Sequence, residues 1–432
     1  MSILFSSFLS KELLSKVDYL SYFPVIMDKN TIKLLPSDHG AYYPLEFDSE
    51  KKILNGQLNF YNEILLKNYK EDNSLPAEKI KSENFVKKNN PKALIVNLLD
   101  NCYGHSLLKL LHLADAYKDF SSGYDIYAVT HSVLEHYIPN EKINIISVKL
   151  SFSEAQSCFS LDRGVLGILK KNYSEVYFLV LDTHKVYSDK ESTADFFNFS
   201  QKNEKQEKKN IVFYYRRDFF RTWGGKKQGK YINEFFQCIR PYFNNEIDFT
   251  VLGEKDDFSF SKNILDERTA SFGPDTDKRY NAVFKNSIIT AGVHGSNMVL
   301  PCLLSQMTIH LTPVFKLKNL GEDLFNYPVS SIMGMLNHIY IPSNSVLMDD
   351  ISPKNFAFMA VNFFQAHIEM EYKYYVMKHL TDNPASMDEY LKEKHGYFNY
   401  ESARSFRKKT IKHLESPAWK KYHFLKLMGK IK

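Results

Sequence analysis

From Ala93 onward, short apolar runs alternate with longer segments whose apolar residues recur every three or four positions. ALIVNL (Ala93 to Leu98) is apolar, strand-sized and followed by the polar stretch LDNCYGH, so it predicts a buried strand. SLLKLLHLADAYKDF then carries leucines at helical spacing and predicts a helix. YDIYAVT reads as a strand, HSVLEHYI as a short helix, INIISV as a strand, and EVYFLVL (Glu175 to Leu181) as another. Strands alternating with helices predict a parallel sheet covered on both faces. The first ninety residues carry no such rhythm and read as an irregular start.

The alternation breaks at Ser188 to Asn210, a polar stretch without a sustained apolar face, which reads as a linker or exposed excursion. It restarts with the strand IVFYY, the polar loop RRDFFRTWGGKKQG and the helix KYINEFFQCIRPYF. DFTVLG, SIITAG and TIHLTP follow as strands, separated by the helices DKRYNAVFKN and NMVLPCLLSQ. The last hundred residues read as mostly helical. The expected organisation is α/β: an N-terminal Rossmann-like domain (1–190), a linker (191–210), a second doubly wound Rossmann-like domain (211–345) facing the first across a cleft, and a helical C-terminal extension (346–432). Layout alone assigns no chemistry.

Composition narrows the classes. At 432 residues, with 44% hydrophobic and 25% charged, the chain fits a globular protein of two domains rather than a disordered one. Tyr (28) and Phe (33) are numerous, which suits either stacking surfaces for sugars and bases or an aromatic core. The four cysteines have no CxxC pair and no zinc spacing, which fits a reducing compartment. No apolar run approaches the roughly eighteen residues needed to cross a bilayer, and no basic segment precedes the first apolar stretch, so the expected location is the cytoplasm. The net charge of +6 is uneven: from Ala403 onward there are ten Lys or Arg and one acid, leaving the rest mildly acidic. KKYHFLKLMGKIK mixes basic and apolar residues at roughly helical spacing, which suits peripheral attachment to an anionic membrane surface. A basic helix docked on the protein and a nucleic-acid-binding tail are the other readings; no nucleic acid is expected.

Candidate chemistry sits where strands hand over to helices, since open α/β sheets bind ligands at their strand ends. GVHGSN offers Gly292 and Gly295 for close backbone approach, Ser296 and Asn297 as caps for the following helix, and His294 as a donor to a phosphate oxygen. YYRRDFFRTWGGKK offers the cations Arg216, Arg217, Arg221, Lys226 and Lys227 at the end of the domain's first strand. Together these suit an anionic ligand such as a diphosphate; singly, they read as a tight turn and as surface charge. In the first domain, His105 opens a helix after a strand and Asp100 precedes it by five residues, a pair suited to general-base work. The bland alternative is a capped helix with a packed histidine. His131, His184 and Glu135 are weaker candidates. P-loop, GxGxxG and GxSxG patterns are absent. PDTD contains a DxD, but it abuts a helix, so Asp275 or Asp277 reads as an N-cap and no metal is expected.

Three of these stretches carry a resemblance. NCYGHSLLKLL resembles the N-terminal motif of glycosyltransferase family 61 and its bacterial relatives, in which Asn, an aromatic and His open a leucine-rich helix. YYRRDFFR resembles that family's strand ending in an arginine-rich loop, and IITAGVHGSNMVLPCLL its strand-Gly-x-His-Gly-Ala-Gly-helix segment, with Ser296 and Asn297 in place of Ala and Gly. The resemblance spans Ala93 to Pro313 and implies a GT-B fold, an inverting glycosyltransferase and a nucleotide-sugar donor held by the second domain; no cofactor is expected. It would put Arg216 or Arg217, His294 and Gly295 at the donor phosphates and His105 in the cleft. A UDP-sugar is the family habit, and a CMP-linked acidic sugar would equally need these cations. With the basic tail, the expected acceptor is a glycan or glycolipid of capsule or lipopolysaccharide growing at the inner membrane face. A sugar- or nucleic-acid-binding module and a GT-B-like nucleotide-sugar epimerase stay open as alternatives.

Overall fold

The structure, a computed structural model, describes residues 20–24, 31–34, 45–48, 53–55, 79–82, 90–100, 102–152, 169, 172–181, 196–197, 208–217, 225–319, 337–343, 350–378 and 386–414. Arg221, His184, most of the linker and the basic end of the tail, 415–432, lie outside the described residues.

The first sheet has a parallel centre of β6 (Lys92–Asn97), β7 (Asp125–His131), β8 (Asn144–Val148) and β9 (Glu175–Leu181). β1 (Leu20–Pro24) and β5 (Ile80–Ser82) flank it antiparallel, giving the order β1-β9-β6-β7-β8-β5. β2 (Thr31–Leu34), β3 (Leu45–Asp48) and β4 (Ile53–Asn55) form a small antiparallel sheet. The irregular start expected from the sequence therefore contains strands. They are too short for alternation to register, and β1 pairs with a strand more than 150 residues away.

The second sheet joins β10 (Lys209–Tyr215), β11 (Ile247–Gly253), β12 (Leu265–Asp266), β13 (Ser287–Val293), β14 (Thr308–Pro313) and β15 (His338–Ser343). All its pairings are parallel, in the order β12-β11-β10-β13-β14-β15. Counted within the unit this is 3-2-1-4-5-6, the Rossmann order, whose ligand crevice lies between strands 1 and 4 at their carboxyl ends. Here those strands are β10 and β13. The α/β organisation expected from the alternation is what the described residues adopt, with a parallel run of strands at the centre of each of the two sheets. HSVLEHYI, expected as a short helix, forms only the 3₁₀ turn Glu135–Tyr137.

Helices cover both sheets: α1 (Tyr103–Phe120), α2 (Gly225–Ile239), α3 (Pro274–Lys285), the single short turn-and-a-half α4 (Val299–Leu304), and then α5 (Pro353–Lys378), α6 (Met387–His395) and α7 (Tyr400–Leu414). None of the described helices is long and apolar enough to cross a membrane. The leucines of α1 do more than cover their own sheet. Leu107, Leu110 and Leu111 share one buried cluster with Val299, Leu300 and Leu303 of α4 and Phe284 of α3. One apolar core thus continues from the first unit into the second, and α1 is the element that carries it across.

Candidate functional site

The two carboxyl-edge loops meet at this junction. Gly104, in the first turn of α1, lies so close to Ser296 that an added Cβ would stand 2.3 Å from the serine Cβ and 2.6 Å from its Cα. Only a residue without a side chain lets the two backbones approach in this way. Gly104→Ala is expected to cost about 1–3 kcal/mol through overpacking, with the units forced apart at their contact. Chemical denaturation with Gly104→Ser alongside measures this, and a wild-type midpoint for both variants would show that the loop yields.

Around the contact lies a cleft of about 520 Å³, within the common range for small-molecule sites. The first unit contributes Tyr103 and Phe152, the end of β10 contributes Tyr214 to Arg217, and the end of β11 contributes Gly253, Glu254 and Lys255. Thr269, Ala270, Phe272, Ser296 and Asn297 complete the lining. Tyr103 meets Phe272 and Phe152 edge to face, with ring centroids 5.3 and 5.8 Å apart, so aromatic rings from both units form one wall. Arg216, Arg217 and Lys255 make the opposite character, a cluster of cations with Glu254 among them.

Arg216 is the best-built cation of the cleft. Its guanidinium donates to the side-chain oxygen of Asn297, joining the ends of β10 and β13. Its backbone is held by Gln228 of α2, whose amide oxygen accepts from the Arg216 N–H at 2.9 Å and whose amide nitrogen donates to the Arg216 carbonyl at 2.7 Å. Gln228 is fully buried, and nothing in the sequence pattern marks it. Behind the loop, the side chain of Arg268 is completely buried, bonded to Asp256 at 2.7 Å and to Asp266 at 2.8 Å. Its guanidinium stacks over Tyr215 and Phe260.

Several expectations about the glycine loop are corrected. His294 is buried and does not line the cleft: its Nδ1 lies 3.3 Å from Nδ1 of His310, and its ring packs against His310 and Tyr340. Gly292 sits within β13, where an added Cβ would meet the Met298 sulfur at 2.7 Å, so its smallness serves packing rather than a ligand. Gly295 does turn the chain, with φ of 153°, a region that favours glycine. Ser296 and Asn297 are not helix caps. They lie in a 3₁₀ turn whose N-cap is Gly295, and α4 begins only at Val299. The charge available to an anion therefore comes from Arg216 and its neighbours rather than from a helix end. Arg217 lines the cleft and donates to the Lys255 carbonyl at 3.4 Å, whereas Lys226 and Lys227 lie at the start of α2, outside the lining.

On the other side of the contact, outside the lining of the cleft in which His105 was expected, Asp100 is fully buried and His105 is partly exposed, with Nδ1 of the imidazole 3.2 Å from Oδ1 of the carboxylate. The second carboxylate oxygen lies 3.0 Å from the Lys109 ammonium, which also donates to the Leu99 carbonyl at 2.7 Å. Burial alone would raise the Asp100 pKa, but Lys109 and His105 outweigh it and hold it at about 2. The backbone of Asp100 is fixed in turn, its carbonyl accepting at 2.9 Å from Nε2 of the buried His131. His131 is thus a scaffold residue, and Glu135 lies in the 3₁₀ turn and lines a separate cavity. Asp277 is not an N-cap either. The cap of α3 is Gly273, and the Asp277 carboxylate is buried, accepting from the Tyr103 hydroxyl of the other unit at 2.7 Å.

No family model matches the chain, and no curated protein does. Among solved structures it is similar to E. coli heptosyltransferase WaaC with ADP, at 11% identity and a TM-score of 0.37, over 64% of this chain and 98% of that one. So slight a likeness supports no residue of the site.

Proposed function

We propose that the chain is an inverting glycosyltransferase that moves a sugar from a nucleotide-sugar donor to a glycan acceptor, in the assembly of a bacterial capsule or lipopolysaccharide. The observation that carries this reading is the meeting of two strand-end loops: the Arg216 and Asn297 pair lies at the crevice of a Rossmann sheet, and the Gly104 contact brings the Asp100 and His105 pair to the same junction. In this reading Arg216, Arg217 and Lys255 take the diphosphate and stabilise the charge that grows on it as the glycosidic bond breaks. The Nε2 atom of His105 takes the proton of the acceptor hydroxyl while Asp100, ionised throughout, orients the ring from Nδ1. The attacking oxygen then bonds to the anomeric carbon from the side opposite the departing diphosphate. The donor is a UDP-sugar first and a CMP-sugar second. Attachment to the inner membrane face through the basic tail, and a cytoplasmic location, belong to the same proposal.

Thermal unfolding with UDP, GDP, CMP, ADP and their sugar conjugates tests the donor half. A ligand at a hundred times its dissociation constant should stabilise the protein by about 2.7 kcal/mol. Arg216→Ala should weaken binding roughly ten- to a hundredfold, as loss of a charged hydrogen bond does. His105→Ala should leave donor affinity intact while lowering turnover about 10²- to 10⁴-fold. No shift with any nucleotide would sink the reading, and binding without turnover would favour a binding module. Retention of anomeric configuration in the product would overturn inversion alone.

A further inference from the structure

We propose that Asp277 is a positioning residue that sets the register between the two units and thereby holds Tyr103 and the first turn of α1 at the cleft. The carboxylate belongs to α3 of the second unit, yet three of the groups around it, Tyr103, His136 and Tyr137, come from the first. The Tyr103 hydroxyl donates to Oδ1 at 2.7 Å, Nε2 of His136 lies 3.3 Å from Oδ2, and the Tyr137 hydroxyl acts on the same carboxylate. Tyr214 of β10 approaches from the second unit's own sheet, and Lys278, the next residue on α3, faces His136. The side chain of Asp277 is 1% exposed.

The interface needs something of this kind. Leucines, valines and phenylalanines fill the core between α1, α3 and α4, and such contacts hold surfaces together without fixing how far one slides over the other. A buried carboxylate is costly to desolvate, and its best-attested use is to specify one register among several apolar ones. Tyr103 passes that register directly to the site. Its hydroxyl is fixed on Asp277, its ring lines the cleft against Phe272, and the next two residues are Gly104 at the Ser296 contact and His105.

The cluster also has a proton signature. Burial pushes the Asp277 carboxyl up to about 6, against the opposing effect of the Tyr103 and Tyr137 hydroxyls beside it. Burial first, and Lys278 second, pull His136 down to about 4. At neutral pH the carboxylate is therefore ionised and the imidazole neutral. A raised acid pKa favours the folded state as pH falls below 6, and a depressed histidine pKa disfavours it as pH falls from 6.5 toward 4. In wild type the two slopes oppose each other. His136 also lines a second cavity, of about 430 Å³, beside Glu135 and Lys81, through which protons can reach it.

The test compares Asp277→Asn, Asp277→Ala, Tyr103→Phe and His136→Gln in the full chain. Tyr103→Phe removes one hydroxyl and nothing else, so it reports even where an aspartate variant folds poorly. Hydrogen exchange in the first turn of α1 is expected to speed up at least tenfold in Tyr103→Phe and Asp277→Ala, and less in Asp277→Asn, which keeps an acceptor for the tyrosine. Melting temperature should fall with acidification from pH 6.5 to 4 in Asp277→Asn, where only His136 titrates, and rise in His136→Gln, where only Asp277 does, each relative to wild type. UDP is the binding probe: Tyr103→Phe and Asp277→Ala should weaken it at least fivefold, with Asp277→Asn recovering most of the loss. That arm rests on the nucleotide reading above, whereas the exchange and pH arms do not. If wild type binds no nucleotide, the functional reading fails and the exchange still decides the positioning role. Wild-type exchange in Tyr103→Phe, or parallel pH profiles for Asp277→Asn and His136→Gln, would overturn the proposal.

Discussion

Replacing Asp100 by Asn is expected to destabilise the protein by about 3–5 kcal/mol, the usual result of removing one partner from a buried ion pair. The amide has the shape of the carboxylate, so no cavity opens. What it lacks is charge, and the Lys109 ammonium, 6% exposed, would keep only the Leu99 carbonyl and a neutral amide. Urea unfolding reads the loss as a shift in midpoint. Acid adds a second signature. The folded-state pKa of Asp100 is held at about 2, below its ordinary value of 3.8, so the stabilisation is complete above 3.8 and disappears as pH falls toward 2. The wild type should therefore lose about 2 kcal/mol relative to Asp100→Asn across that interval. Lys109→Met added to Asp100→Asn should recover part of the loss, because the isolated charge is then gone. A single variant within about 1 kcal/mol of wild type would mean that water reaches the pair.

Arg268→Met should be comparably severe, by about 3–5 kcal/mol and toward the lower figure, because Asp266 keeps some contact with water at 27% exposure. Met fills the slot between Tyr215 and Phe260, but Asp256, Asp266 and the Phe258 carbonyl lose their common donor. Those groups tie the segment after β11 to the sheet, and that segment carries Thr269, Ala270 and Phe272 of the cleft wall. Nucleotide affinity should fall together with stability. Arg268→Lys keeps the charge without the planar fork that reaches both carboxylates at once, so it should recover only part of either. Complete recovery with Lys would show that net charge, not geometry, holds the segment. Calorimetric unfolding beside UDP titration separates these outcomes.

The central strands of both sheets were legible because each is a short apolar run, and a strand buried on both faces needs little else; the flanking strands β1, β5, β12 and β15 were not. That Arg216 and His105 stand just beyond strands was legible for a related reason. They follow strands, and in a parallel sheet the residues after the strands lie along one edge. What misled was local chemistry read without neighbours. His294 stands in a glycine loop, where an imidazole suits a phosphate, yet His310 and Tyr340 from adjacent strands enclose it. Asp277 stands in the first turn of α3, where an acid suits a cap, yet that face of the helix turns toward the other unit. Gln228 and Lys255 left no trace in the pattern, since a lone polar residue on a helix or at a strand end reads as surface.

The amino-acid sequence by itself determined two α/β units, their central strands and which loops follow those strands, because hydrophobic period and strand-end position are local properties. Only the tertiary structure decided which side chains face the cleft and which are enclosed, and that a tyrosine of one unit is anchored on an aspartate 174 residues away in the other. Contacts at that separation depend on how two apolar surfaces seat against each other, and no window of sequence contains both surfaces.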